Sequence, residues 1–227
     1  MYGKESIALT FDTDLAPDFV IEYTTKLLEK HKVKATFFCT NITKTLQDSE
    51  LIEVGIHPGF NGPLQIENDT KQLLHIFPSA VGVRTHSLVH SSPLSILFVE
   101  NGLKYDSSLL LWEQPDLKLF RDWNGLIRIP IFWEDDLHLM SGRKPYLKVI
   151  NFITPGLKVF NFHPIHIFLN TNNLKTFRNY KVDRENIEKY ISSKDGIQNM
   201  FVNLLEFIKK NEIITLKLSE VVEDGIK

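Results

Sequence analysis

The sequence predicts a single α/β domain built on a parallel sheet that closes into a barrel. Three observations carry this. Short apolar strands alternate with helical stretches along the chain. Several of these strands end in polar residues, and active sites of parallel α/β sheets gather at C-terminal strand ends. No linker, internal repeat or low-complexity segment divides residues 1–227.

The first strand sets the pattern. Ile7, Leu9 and Phe11 alternate with Ala8, Thr10 and Asp12, the period of a strand. It runs into Asp12 and Asp14, which project to the same side if the backbone stays extended. Two carboxylates at the mouth of a buried strand repel each other, and a cation beside them relieves that cost. The alternative is an Asx turn with Asp14 capping the next helix.

Ala16-Pro17-Asp18 opens a helix that runs to His31, with Pro17 in its first turn. A strand over Lys34 to Thr40 and a short helix over about Asp48 to Val54 follow. A short strand ends at His57, where Pro58 and two glycines force a loop. A helix over Asp69 to Phe77 stops at Pro78, and Ala80 to Ser87 forms the next strand. Arg84 and His86 share a face there, and Arg84 placed near Asp12 would keep that carboxylate ionised and oriented. Ser92 caps a helix from Pro93 to Asn101, and a short strand spans Leu103 to Ser108.

Residues 109–125 are irregular and long enough to form a lid or rim, with Trp112 to Trp123 over the site edge. Leu126 to Asp136 reads as a strand ending in Trp133 and three acids. Trp133 walls a sugar site or, more simply, packs in the core. Leu157 to Pro164 is a further strand, with Val159, Asn161 and His163 on one face and Phe160 and Phe162 on the other. Residues 170–182 look like a polar insertion or flexible loop. An amphipathic helix over Gly196 to Lys210, a last strand over Ile213 to Leu216 and a closing helix over Leu218 to Val222 complete the chain.

Composition bounds the function. Apolar residues make up 43% of the chain and charged residues 24%, enough for an ordinary core. A net charge of -2 argues against a nucleic-acid surface. The single cysteine, Cys39, excludes an intrachain disulfide and a cysteine zinc cluster. No apolar stretch approaches the ~20 residues of a membrane helix, and no signal peptide is recognisable, so a cytoplasmic location is expected.

Four strand ends thus carry polar groups: Asp12 with Asp14, His57, Arg84 with His86, and His163. A carboxylate and imidazoles with an open position form the ligand set of a catalytic zinc-type site. A second carboxylate and a spare histidine would supply the base and acid of a hydrolysis.

In this order the motifs resemble those of the polysaccharide deacetylases of the NodB-homology type, carbohydrate esterase family four. Leu9 to Asp14 resembles the first motif, Glu53 to His57 the second and Gly82-Val83-Arg84 the third. Ile129 to Trp133 with Asp135 resembles the fourth, and Val159 to His163 the fifth. The resemblance implies a distorted (β/α) barrel, often of seven strands, with its site at the C-terminal edge. It implies Asp12 as general base, oriented by Arg84, and His163 as general acid. It implies Asp14 and His57 as ligands of a divalent metal, most simply Zn2+, and Trp133 lining the groove of an N-acylated carbohydrate.

Two positions depart from the family pattern. Asn61 stands where the family has its second histidine, and Asn oxygen is a poor zinc ligand. His86 is the preferred third ligand, with Asn61 or water as the alternatives. Asn161 stands where the family has an apolar residue beside the acyl methyl, which implies a different acyl group or a polar substrate. The expected activity is N-deacylation of a sugar or sugar precursor in surface-polysaccharide synthesis. The rivals are a barrel that lost its site and binds carbohydrate or a partner, and a hydrolase of a small amide or imide.

Overall fold

The computed structural model describes residues 6–225, apart from residues 44, 47, 48, 60, 145–153 and 184. Ten short strands form one sheet: β1 (Ser6–Asp12), β2 (Ala35–Cys39), β3 (Ile52–Ile56), β4 (Gly82–Val83), β5 (Tyr105–Asp106), β6 (Phe120–Arg121), β7 (Ile127–Arg128), β8 (Trp133–Glu134), β9 (Lys158–Phe162) and β10 (Ile214–Thr215). Their order is β6-β7-β5-β4-β3-β2-β1-β9-β8, with β10 pairing β1. All pairs are parallel except β6 with β7.

The expected count of seven strands is therefore corrected to ten among the described residues, in part because β6 pairs at the edge and in part because residues 127–134 supply two strands. This extended segment contributes β7, next to the first edge of the path, and β8, the strand at its other end. The Ile129 amide donates to the Asp106 carbonyl, and the Phe132 amide donates to the Val159 carbonyl. One stretch of backbone thus ties the two ends of the sheet together, from β7 beside the first edge to β8 at the last, and curls it into a distorted barrel.

Among the described residues the α-helices are α1 (Asp18–His31), α2 (Pro63–Ile76), α3 (Ser92–Glu100), α4 (Asp135–Met140), α5 (Pro164–Phe168), α6 (Leu174–Val182), α7 (Ile197–Lys210) and α8 (Leu218–Gly225). Helix α7 packs on the outer face of the sheet, while α4 and α5 contribute residues to the cavity at its C-terminal edge. On β1, Phe11 stacks on Phe37 at 4.6 Å between centroids and meets the edge of Phe201 from α7 at 5.7 Å. The alternate residues Thr10 and Asp12 point into the barrel, where they meet Arg84. The strand period thus sorts apolar residues toward the helices and polar residues toward the interior.

Several boundaries move. The helix expected over about Asp48 to Val54 begins outside the described residues, and from Ile52 onward the chain is strand β3 instead, its Ile52 and Ile56 buried in the sheet. Residues 174–182 are helix α6 rather than loop, with Phe177 and Tyr180 buried on one side at i and i+3. The strand read over Leu126 to Asp136 breaks into β7 and β8, and Asp135 starts helix α4. Segment 109–125 is not a lid. The Leu157 amide, just before β9 and at the opposite end of that strand from His163, donates to the Leu117 carbonyl. No helix among the described residues is long and apolar enough to cross a membrane.

Candidate active site

The C-terminal ends of β1, β3, β4, β8 and β9 meet around one cavity of about 530 Å3. Asp12, Asp14, His57, His86, Glu134, Asp136, His163 and His166 supply its polar wall, and Leu15, Leu88, Leu137, Met140 and Ile165 much of its apolar wall. Three wall residues hold a left-handed backbone without being glycine: Leu15 (φ 57°), Ser87 (φ 58°) and Leu88 (φ 54°). Such conformations cost about 1–3 kcal/mol each and persist where the surrounding structure enforces them.

At the base of the cavity Asp12 is almost wholly buried. Arg84 Nη1 donates to its Oδ1 at 3.0 Å, and Asn161 Nδ2 donates to its Oδ2 at 2.8 Å. Burial pushes the Asp12 carboxyl up, but Arg84, then His57 and His163, outweigh it and hold the group below its ordinary value. Arg84 is itself fully buried. It also donates to Thr10 Oγ1 (2.9 Å), Asn161 Oδ1 (2.5 Å), the Ser107 carbonyl (2.8 Å) and Ser107 Oγ (2.8 Å). Gly82, two residues before Arg84, leaves room for Tyr105 of β5: a Cβ there would lie 2.0 Å from the Tyr105 ring.

Above Asp12, Asp14 stands between two imidazoles. Its Oδ2 is 2.7 Å from His57 Nε2 and its Oδ1 is 3.3 Å from His86 Nδ1. One ligating atom from each of these three residues falls within 4.8 Å of the others. One carboxylate and two imidazoles on a cavity wall suit zinc with an open coordination position. His57 Nδ1 is buried without a hydrogen-bond partner, 4.0 Å from Asp12 Oδ1. Asn61 is exposed, and its backbone amide donates to Gln65 Oε1. Of the two residues that could replace the missing histidine, His86 and Asn61, only His86 lies against Asp14.

Across the cavity, Asp135 grips His163. Its Oδ1 lies 2.7 Å from His163 Nδ1 and its Oδ2 accepts from the His163 backbone amide at 2.8 Å. Burial opposes charge on the His163 ring, but Asp135 and Asp136 outweigh it and raise the ring well above its ordinary value. Glu134 sits between the two halves, accepting from Asn161 Nδ2 at 3.2 Å. Burial pushes its carboxyl up, and despite the opposing pull of His163 it reaches about 7.

Two sequence expectations are corrected. Trp133 is fully buried, with its ring 5.0 Å from Phe162 and its Nε1 donating to His138 Nδ1, so core packing places it and it walls no groove. Asn161 is also fully buried, and its amide is used by Asp12, Arg84 and Glu134 rather than facing a substrate. Sequence reading passed over Glu134 and the orienting role of Asp135. The signal available was their position at the end of the segment that also carries Trp133.

A distorted (β/α) barrel with carboxylates and imidazoles gathered at its C-terminal edge is the architecture of the NodB-type carbohydrate deacetylases. A model of the WbmS-like polysaccharide deacetylase family matches residues 9–181, and the chain belongs to that family, a group of hydrolases acting on amide bonds. A crystal structure from Bordetella bronchiseptica, described as a polysaccharide deacetylase involved in O-antigen biosynthesis, superposes with a TM-score of 0.84 at 30% identity. That match covers 90% of this chain and 91% of the other. The peptidoglycan deacetylase PdaC of Bacillus subtilis shares the fold at 15% identity and a TM-score of 0.53, over 97% of this chain and 91% of the other. So does a family 4 carbohydrate esterase of Bacillus anthracis, at 15% identity and a TM-score of 0.51, over 97% and 83%. None of the curated proteins matches the chain.

Proposed function

We propose that the protein is a metal-dependent deacetylase that removes an N-acetyl group from a sugar or sugar precursor during cell-surface polysaccharide synthesis. One observation carries this reading. A carboxylate bonded to the Arg84 guanidinium and an imidazole bonded to the Asp135 carboxylate line one cavity, and Asp14, His57 and His86 converge beside them.

Asp14, His57 and His86 would hold the cation. When bound, a zinc ion supplies Lewis-acid polarisation of an amide carbonyl and lowers the pKa of water. Asp12 takes the proton of the attacking water. Its Oδ1 and Oδ2 each carry one fixed hydrogen bond, from Arg84 and from Asn161, and each keeps lone-pair capacity for that proton. His163 gives a proton from Nε2 to the leaving amine, because Nδ1 is committed to Asp135. The apolar side chains of Leu137 and Ile165 limit water around the reacting amide. Synthesis of a surface polysaccharide is the setting favoured by the family match and by the O-antigen role of the Bordetella relative. A cytoplasmic site of action, on a precursor still inside the cell, is part of the same proposal.

The test is acetate release from a panel of N-acetylated amino sugars, free, nucleotide-linked and oligomeric, with zinc added or chelated. Zinc-dependent release is expected, falling by roughly 10²–10⁴ in Asp12→Asn while zinc is retained. His57→Ala should lose zinc, and His86→Ala should weaken binding more than Asn61→Ala. A wild-type chain that neither binds zinc nor releases acetate would overturn the proposal.

A further inference from the structure

We propose that Asp136, His163 and His166 form a second divalent-cation site, separate from Asp14, His57 and His86, which when filled withdraws His163 from proton transfer. The second half of this statement rests on the reading of His163 as the general acid.

The placement comes from two chain turns. His163 precedes α5 and His166 lies within it, three residues on, so the two rings sit on one side of a single helical turn. Their centroids are 5.6 Å apart. Asp136, in the first turn of α4, reaches between them. Its Oδ1 is 2.7 Å from His166 Nε2 and its Oδ2 is 3.9 Å from His163 Nε2. With Asp135, these residues present ligating atoms that all fall within 4.8 Å of one another.

The outer contacts point the same way. A metal-binding imidazole is usually fixed by a hydrogen bond at its other nitrogen. Here both rings have one: His163 Nδ1 lies 2.7 Å from Asp135 Oδ1, and His166 Nδ1 lies 3.0 Å from Thr171 Oγ1. Asp135 is fully buried and also accepts from the amides of His163 and Asp136, so it acts as the outer carboxylate rather than as a ligand. Both Nε2 atoms are thereby aimed at Asp136. Ligands held about 2.1 Å from a tetrahedral cation stand roughly 3.4 Å apart, close to the gap between His163 Nε2 and Asp136 Oδ2. Asp136, His163 and His166 all line the cavity, which gives an ion its route in. Lys181, also on the wall, opposes a cation there and makes this site the weaker of the two.

A cation on His163 Nε2 occupies the lone pair through which the acid would be regenerated. The first site loads the enzyme; the second blocks it when the metal is in excess.

The test titrates the metal-free chain with zinc by calorimetry, with bound metal counted after dialysis. Wild type should bind two equivalents, the second at least roughly tenfold weaker. Asp136→Asn, at a partly exposed position, and His166→Gln should each remove the second and keep the first. His57→Ala should do the reverse. In ¹⁵N imidazole NMR, the second equivalent should shift His163 Nε2 in wild type and not in Asp136→Asn. A single equivalent in wild type, or a second that survives both variants, would overturn the site. Two equivalents that leave the His163 signal unmoved would overturn its effect on the acid. Two equivalents as assigned, without acetate release at any zinc level, would instead remove the deacetylase reading and leave the cation site standing.

Discussion

Asp135 holds His163 at two points, ring and backbone, through two oxygens of one fully buried carboxylate. The pair fixes which nitrogen faces the cavity. Asp135→Ala should therefore free the ring to rotate and to change tautomer while leaving Asp14, His57 and His86 untouched. Turnover is expected to fall by roughly 10²–10⁴, the range of general acid–base assistance, with zinc stoichiometry at the first site unchanged. The loss should shrink on substrates with better leaving groups, which need less protonation, and His163→Ala should show the same pattern. Equal losses on good and poor leaving groups, measured by steady-state kinetics, would remove His163 from the role of acid.

Arg84 is a fully buried guanidinium whose partners are all fixed: Asp12, Thr10, Asn161 and Ser107. It also stacks over the Phe38 ring at 4.4 Å. Arg84→Ala leaves Asp12 buried without its main counter-charge, a change that costs about 3–5 kcal/mol when a buried pair loses one member. Denaturant unfolding should show that loss. Arg84→Lys keeps the charge but cannot reach Asp12, Asn161 and Ser107 together, so it should recover only part of it. A wild-type unfolding midpoint in Arg84→Ala would mean that the interior network contributes nothing to the fold.

Much of the site was legible because strand parity is strict. Asp12, His57, Arg84 and His163 each lie at or just past a strand end, and a period of two decides which neighbours share their face. Parity could not tell which face looks into the barrel. In a curled sheet covered by helices both faces are buried, so the groove position that the family resemblance implies for Trp133 gives way to the simpler core packing, and Asn161 lies beneath Asp12. Helix α6 was hidden by the three asparagines before it, although Phe177 and Tyr180 have helical spacing. Strands of two residues, such as β4 and β5, carry too few side chains to show a period at all. Asp136 and His166 were invisible as a pair, since they are 30 positions apart and joined only by the fold.

The closing helix α8 is held to the sheet by a partly exposed ion pair. Glu220 on α8 accepts from Lys34 Nζ at 2.5 Å and from the Lys217 backbone amide at 2.9 Å, pinning the helix beside β2. Burial pushes the Glu220 carboxyl up, but Lys34 and the Lys217 amide outweigh it and hold the group below its ordinary value of 4.5. A carboxyl depressed in the folded chain binds its proton more readily when unfolded. Its stabilisation is therefore complete at neutral pH, above the unfolded value, and disappears as the pH falls through the folded value. The pair is partly exposed, so its contribution should be only about 0.5–1 kcal/mol. Urea unfolding of wild type and Glu220→Gln should differ by that amount at pH 7, and the two curves should converge as the pH is lowered below the carboxylate range. A difference that persists unchanged in acid would assign the effect to side-chain packing on α8 and not to the Lys34 ion pair.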